Sequence, residues 1–166
     1  SKMNFPVSIL PSIKIVSNSV SFLILLGVAF VITLFYGRFS GIYLFQLPYY
    51  LLCTFILIYS ITILTASLST IIRDIQNLVQ AIMRIMFFLL PIVWNIESLK
   101  PEYLATLLKL NPFYYVIEGY RYSLLGGEWF YNDITYTIYF WLLTITILFV
   151  GATVHLKFRN KFVDYL

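Results

Sequence analysis

Apolar residues along this chain fall into long blocks instead of a helical or alternating stripe. Residues 15–36 and 39–72 carry no charge, 75–96 carry only Arg84, and 134–154 again carry none. Crossing a bilayer takes about 20 mostly apolar residues in a helix, so each block is long enough for one span. The pattern predicts an all-α integral membrane fold with four transmembrane helices, near 15–36, 47–71, 76–96 and 134–156. Pro48 marks the start of the second, because a proline in the first turn gives up no hydrogen bond.

The segments between the blocks are shorter and more mixed. The arm at 2–11 holds Pro6 and Pro11, with Phe5, Ile9 and Leu10 as an apolar edge. It reads as a short interfacial helix begun at Pro6 or as a plain connector on the membrane surface. At 70–77, Asp74 falls where a helix N-cap would, next to Arg73. After it Ile75, Leu78, Val79 and Ile82 recur at helical spacing, and Gln76, Asn77 and Gln80 take the other face. That helix enters the membrane with one polar flank; the alternative is a solvated loop with a capping Asp.

Between the third and fourth blocks the pattern predicts two short helices, near 101–110 and 112–125. The first opens at Pro101-Glu102 and carries Leu104, Leu107 and Leu108 as its apolar stripe. Asn111 and Pro112 give the cap and first turn of the second, which stops at Gly126-Gly127. Phe113, Val116, Ile117 and Tyr120 share one face of it, and Glu118 and Arg121, three apart, can pair. Such helices can dip back into the membrane rim as re-entrant elements or lie flat on its surface. Backbone that enters without spanning is tolerated only against protein or a cavity.

Composition removes the soluble alternative. Hydrophobic residues make up 61% of the chain and charged residues only 11%, against roughly 25% charged in a soluble domain. The placement of the few charges gives an orientation. Lys2, Lys14, Arg73, Arg84, Lys157, Arg159 and Lys161 lie on one side of the predicted spans. Arg38, Lys100, Lys109 and Arg121 lie on the other, the last three among Glu97, Glu102, Glu118, Glu128 and Asp133. The basic side is cytoplasmic by the positive-inside rule, so both ends of this chain are expected there. Arg84 either snorkels to the cytoplasmic boundary or faces a polar passage.

Chemistry-bearing motifs are sparse. No GxxxxGK[ST] phosphate loop occurs, and one His with one Cys cannot supply a metal set. No carboxylate lies inside a predicted span, which argues against a proton relay. His155 reads as an interfacial residue. Ser17, Asn18, Ser19 and Ser21 suit bonding between helices. An energy source must come from another chain or an ion gradient. No cleavable signal peptide is visible, and the chain opens Ser1-Lys2-Met3, so it reads as a fragment with sequence missing upstream.

Three segments occur in a telling order: Phe5-Pro6-Val7-Ser8-Ile9-Leu10-Pro11, then Ser69-Thr70-Ile71-Ile72-Arg73-Asp74-Ile75, then Leu110-Asn111-Pro112-Phe113-Tyr114-Tyr115 with Glu118-Gly119-Tyr120-Arg121. Together they resemble the permease subunits of ABC exporters for cell-surface polysaccharides, and most of all a teichoic acid translocation permease. The resemblance covers essentially the whole chain. It implies a single permease domain matching spans three to six of the family, with the first two missing. Phe5, Pro6, Ile9, Leu10 and Pro11 would form the element that couples to the ATPase, with Arg73 and Asp74 in a second contact. Pro112, Tyr115, Glu118 and Arg121 would belong to the outer gate.

The implied partners are an ATP-binding ABC subunit, a second permease copy, a lipid-linked polymer and the membrane lipids, with no nucleic acid. This chain would hold no cofactor, since ATP and its Mg would sit on the partner subunit. It would act in the bacterial cell membrane, in cell wall biogenesis. Exporters of O-antigen, capsule, lipid or drug are neighbouring readings. From other classes come a membrane-embedded transferase, which should show acidic metal ligands, and an assembly scaffold, which should lack polar flanks such as Asn18, Gln76, Asn77 and Gln80.

Overall fold

The computed structural model describes residues 10–37, 41–72, 74–90 and 102–158. Among these the chain is helical, in the order α1 (Leu10–Phe35), a 3₁₀ segment (Gly41–Gln46), α2 (Leu47–Ile71), α3 (Ile75–Leu89), α4 (Glu102–Lys109), α5 (Pro112–Leu125) and α6 (Ile134–Phe158). Three stretches are long and apolar enough to cross a membrane: Val16–Phe35, Gly41–Ser69 and Ile134–Lys157.

The centre of the bundle is the pair α2 and α6, which run parallel. Trp141 near the start of α6 bonds Tyr49 near the start of α2, and His155 near the end of α6 lies 3.3 Å from Ser67 near the end of α2. The seam has a regular construction. From Gln46, just before α2, the buried positions Tyr50, Cys53, Leu57, Ser60 and Ser67, with half-buried Leu64, follow alternating steps of four and three. On α6, buried Phe140, Thr144 and Gly151 follow the same rhythm. A repeat of 3.5 residues keeps one face of each helix turned to the other.

Cys53, Ser60, Ser67, Thr144 and Gly151 are small, as membrane helix interfaces favour when lipid is as apolar as leucine. The closest approach is at Gly151, where an added Cβ would lie 3.0 Å from the Leu64 amide nitrogen and 3.2 Å from its Cα. The buried hydroxyls of Ser60 and Thr144 are satisfied within their own helices. Each donates to the carbonyl four residues earlier, on Ile56 and Phe140.

Helix α1 packs along α2 and touches α5 through Phe22, whose ring meets that of Tyr120 at 5.7 Å. Pro11 stands in its first turn, so the helix runs unbroken from Leu10 into the first span. Phe5, Pro6 and Ile9 lie outside the described residues, as does Arg73.

Two expectations need correction. The third helix was expected to reach residue 96 but ends at Leu89, and Leu90 is extended with ψ 138°. Pro91 follows, and a proline drives the preceding residue out of the helical region. The 15 residues of α3 rise about 22 Å at about 1.5 Å each, short of the roughly 30 Å hydrocarbon core. Second, Asp74 occupies the cap position of α3, but its backbone is helical and its side chain makes no capping bond. On α4, Leu108 is buried while Leu104 and Leu107 are exposed.

The second short helix agrees with its sequence signals. Asn111 is extended, and its side-chain oxygen accepts the Phe113 amide at 3.0 Å. The helix ends before Gly126, whose φ of 83° suits a residue without a Cβ. Its buried side chains are Tyr114, Tyr115, Val116 and Ser123, with Gly119, so the covered face is shifted from the expected one.

Candidate functional site

The starts of α2 and α6 come together with α4, α5 and the 126–133 loop at one end of the bundle. The rings there are joined in a continuous series of contacts. Tyr49 stacks on Phe130 with centroids 4.2 Å apart, and Tyr115 stacks on Phe140 at 4.5 Å. Tyr50 meets Tyr115 at 5.7 Å, and Tyr136 meets Tyr115 edge-on at 5.2 Å.

The polar tips of these rings form a chain whose direction is fixed by counting hydrogens. Thr137 donates its single hydroxyl hydrogen to the Phe130 carbonyl at 2.7 Å. It can therefore only accept from Tyr115, 3.0 Å away. Tyr115 has then spent its hydrogen and accepts from Tyr49, also at 3.0 Å. Tyr49 in turn accepts the Trp141 indole N–H at 3.0 Å. The run is one-way from Trp141 through Tyr49, Tyr115 and Thr137 to a backbone carbonyl, and it ties α6, α2, α5 and the loop together. The same logic sets a second pair. Thr54 donates to the Tyr50 carbonyl at 2.7 Å, so at 2.8 Å it accepts from Tyr120.

Gln46 holds the loop. It is 1% exposed, donates to the Glu128 carbonyl and accepts the Phe130 amide, each at 3.2 Å. A buried amide with donor and acceptor both engaged avoids the penalty of an unpaired polar group in an apolar setting. Two further tyrosines close the site against α4. Tyr136 and Tyr139 donate to the carbonyls of Lys109 and Leu110, both at 2.7 Å.

Between these elements lies a cavity of about 500 Å³ bounded by Tyr115, Tyr122, Trp129, Tyr136 and Tyr139, with Lys109, Glu118, Glu128 and Asp133 at its polar positions. Glu118 accepts a charge-assisted bond from Arg121 at 2.7 Å, the expected pair. Burial, with the nearby Glu118 and Glu128 carboxylates, holds the Tyr122 phenol above its ordinary range, so it stays a neutral donor.

Of the gate residues named from the sequence, Pro112 opens α5, while Tyr115, Glu118 and Arg121 surround or support this cavity. Asp74 lies at the opposite end of α2 and is exposed. Gln46, Thr137, Trp141 and Asp133 had not been singled out as site residues. The partners of Gln46 and Trp141 are remote in sequence and leave no local signal, whereas Asp133 caps α6 through the Tyr136 amide, a signal that acts within three residues.

The sequence profile of ABC-2 type transporters matches residues 1–125. The chain belongs to the ABC-2 type transporter family. Among curated proteins, this ABC-2 type chain is similar to two proteins of Klebsiella pneumoniae called O-antigen export system permease protein RfbA. It is 24% and 25% identical to them, over 99% of its own length and 62% of theirs. It is also 25% identical to a Myxococcus xanthus protein of the same description, over 72% of the chain and 46% of the relative. The chain thus spans between 46% and 62% of the length of these relatives. Family and fold together make this ABC-2 type chain part of a multi-pass membrane protein, with three helices among the described residues long enough to cross.

Proposed function

We propose that this chain is the membrane-embedded part of an exporter permease that moves a lipid-linked cell-surface polysaccharide across the cytoplasmic membrane, driven by a partner ATPase. The observation that carries the reading is similarity along nearly the whole chain to two O-antigen export permeases, within a matching ABC-2 type family profile. The chain itself is non-catalytic, and ATP with Mg belongs to the partner subunit. A second permease copy completes the assembly.

The Lys and Arg distribution supports cytoplasmic chain ends, which puts the α4 and α5 end on the outer side. There Pro112, Tyr115, Glu118 and Arg121 serve as gate residues. On the inner side Phe5, Pro6, Ile9, Leu10 and Pro11, with Arg73 and Asp74, form the contact with the ATPase. The relatives' names favour an O-antigen type of polysaccharide. Teichoic acid, which the sequence motifs resemble, is the alternative within the same class of lipid-linked polymers.

The test is affinity purification of the tagged full-length protein from detergent-solubilised membranes, followed by mass spectrometry and an export assay. Support is a stoichiometric ATPase chain with a phosphate-binding loop, together with an Asp74→Lys variant that inserts normally but hydrolyses ATP without export. Recovery of the folded protein with no ATPase would remove the energy source and sink the reading.

A further inference from the structure

The cavity between α4, α5, α6 and the 126–133 loop has a size, a wall and a charge that together select a ligand. Its volume of about 500 Å³ falls in the roughly 300–1,000 Å³ range of small-ligand sites. The wall is aromatic. Tyr136 and Tyr139 lie nearly parallel, 8° apart at 6.2 Å, and Tyr122 and Trp129 line the cavity with them. Ring faces of this kind offer apolar platforms beside polar tips, which suits a ligand with C–H faces and a hydroxyl rim.

The charge is negative. Three carboxylates face one ammonium, that of Lys109. With Glu118 neutralised by Arg121, Glu128 and Asp133 still outnumber it. Asp133 is held in place because one of its oxygens caps α6 by accepting the Tyr136 amide at 3.0 Å. Carboxylates accept strong bonds from hydroxyls and attract amines, while a phosphate here meets like charge.

We propose that this cavity is a saccharide site for neutral or amine-bearing sugar units, and that it discriminates against phosphate-rich polymer. The inference deepens the export reading and rests on it for treating the saccharide as cargo. It also sets a preference within the polymer class: sugar-only repeats fit this end of the molecule, and polyol-phosphate repeats do not. Rings and carboxylates have separate duties, the rings supplying affinity and the carboxylates selectivity.

The experiment is calorimetric titration of the full-length protein in lipid nanodiscs with three probes: maltotetraose, fully deacetylated chitotetraose and a tetrameric glycerol phosphate. The two sugars are expected to bind, the amine-bearing one more tightly, with the phosphate probe at least about tenfold weaker. Trp129→Ala should weaken both sugars about tenfold. The pair Glu128→Gln with Asp133→Asn keeps the shapes, and Asn still caps α6; it should erase the preference for the amine and strengthen the phosphate probe.

Equal binding of phosphate and neutral probes, no binding of any probe to folded protein, or a double variant with unchanged preferences would each overturn the proposal. ATP-driven transport into vesicles separates this from the broader reading. Transport without probe binding removes the cavity's role alone. Probe binding with no transport by the complete complex leaves the site and removes the export reading.

Discussion

Tyr49 on α2 donates its phenolic hydrogen to Tyr115 on α5 across 3.0 Å, and the direction is set by the bonds on either side. Removing the Tyr115 hydroxyl orphans the Tyr49 donor, and removing the Tyr49 hydroxyl orphans the Trp141 N–H. Each of Tyr115→Phe and Tyr49→Phe should cost about 1–2 kcal/mol, and the double variant less than their sum. Thermal unfolding in detergent measures all three. Strict additivity would mean the two hydroxyls are not members of one run.

Gly151 should not tolerate a larger residue. Its added Cβ already meets Leu64 backbone at 3.0 Å, and backbone cannot rotate away. Gly151→Val should destabilise by about 1–3 kcal/mol and part α2 from α6. Cys53, 0% exposed in that seam, reports the event directly. Its peptide should resist N-ethylmaleimide in the native protein and be alkylated in the variant. The contrast is Gly27, where nothing lies within 4 Å of an added Cβ. Gly27→Ala should leave Cys53 protected.

At Gly119 an added Cβ would collide with the ring of Tyr50. Gly119→Ala should therefore displace that ring from the interface between α2 and α5 and cost about 1–3 kcal/mol. Pairing it with Tyr50→Leu should cost less than the two changes measured separately, because the smaller side chain frees the space. If the double variant is as unstable as the sum, the collision is not the cause.

Gln46 should control the 126–133 loop more than the helix it precedes. Gln46→Leu keeps the volume and deletes both bonds to the loop, leaving the Phe130 amide without its partner. Hydrogen exchange at Phe130 should speed up strongly while amides near Leu57 stay protected. Equal acceleration at both places would point to global destabilisation instead.

The sequence displayed the spans far better than it displayed their faces. Charge-free blocks locate α1, α2 and α6 because lipid tolerates almost no charge. They are apolar on all sides, however, so hydropathy cannot tell the side that meets protein from the side that meets lipid. The available signal was size and polarity: Cys53, Ser60 and Ser67 on α2, and Thr144 and Gly151 on α6, recur at steps of seven. The end of α3 was hidden, because the apolar block runs on to residue 96 and masks the mark left by Pro91, which forces Leu90 out of the helix.

The local signals of α5, Asn111-Pro112 at its start and Gly126 at its end, were read correctly because caps act within a few residues. The tyrosine run was not legible. Tyr49 lies 66 residues from Tyr115 and 92 from Trp141, and nothing in either neighbourhood names the other. Glu118 and Arg121 were within reach of sequence because a single helical turn joins them.

The α2 and α6 seam is closed by buried side chains from Tyr50 and Phe140 to Ser67, with backbone contact at Gly151. It leaves no bore through which a polymer could thread. Exposed apolar side chains run instead along α1 and α3. Within a bundle built this way the chain is a stave and not a pipe, and any conduit for a hydrophilic cargo needs a second wall supplied from outside the described residues.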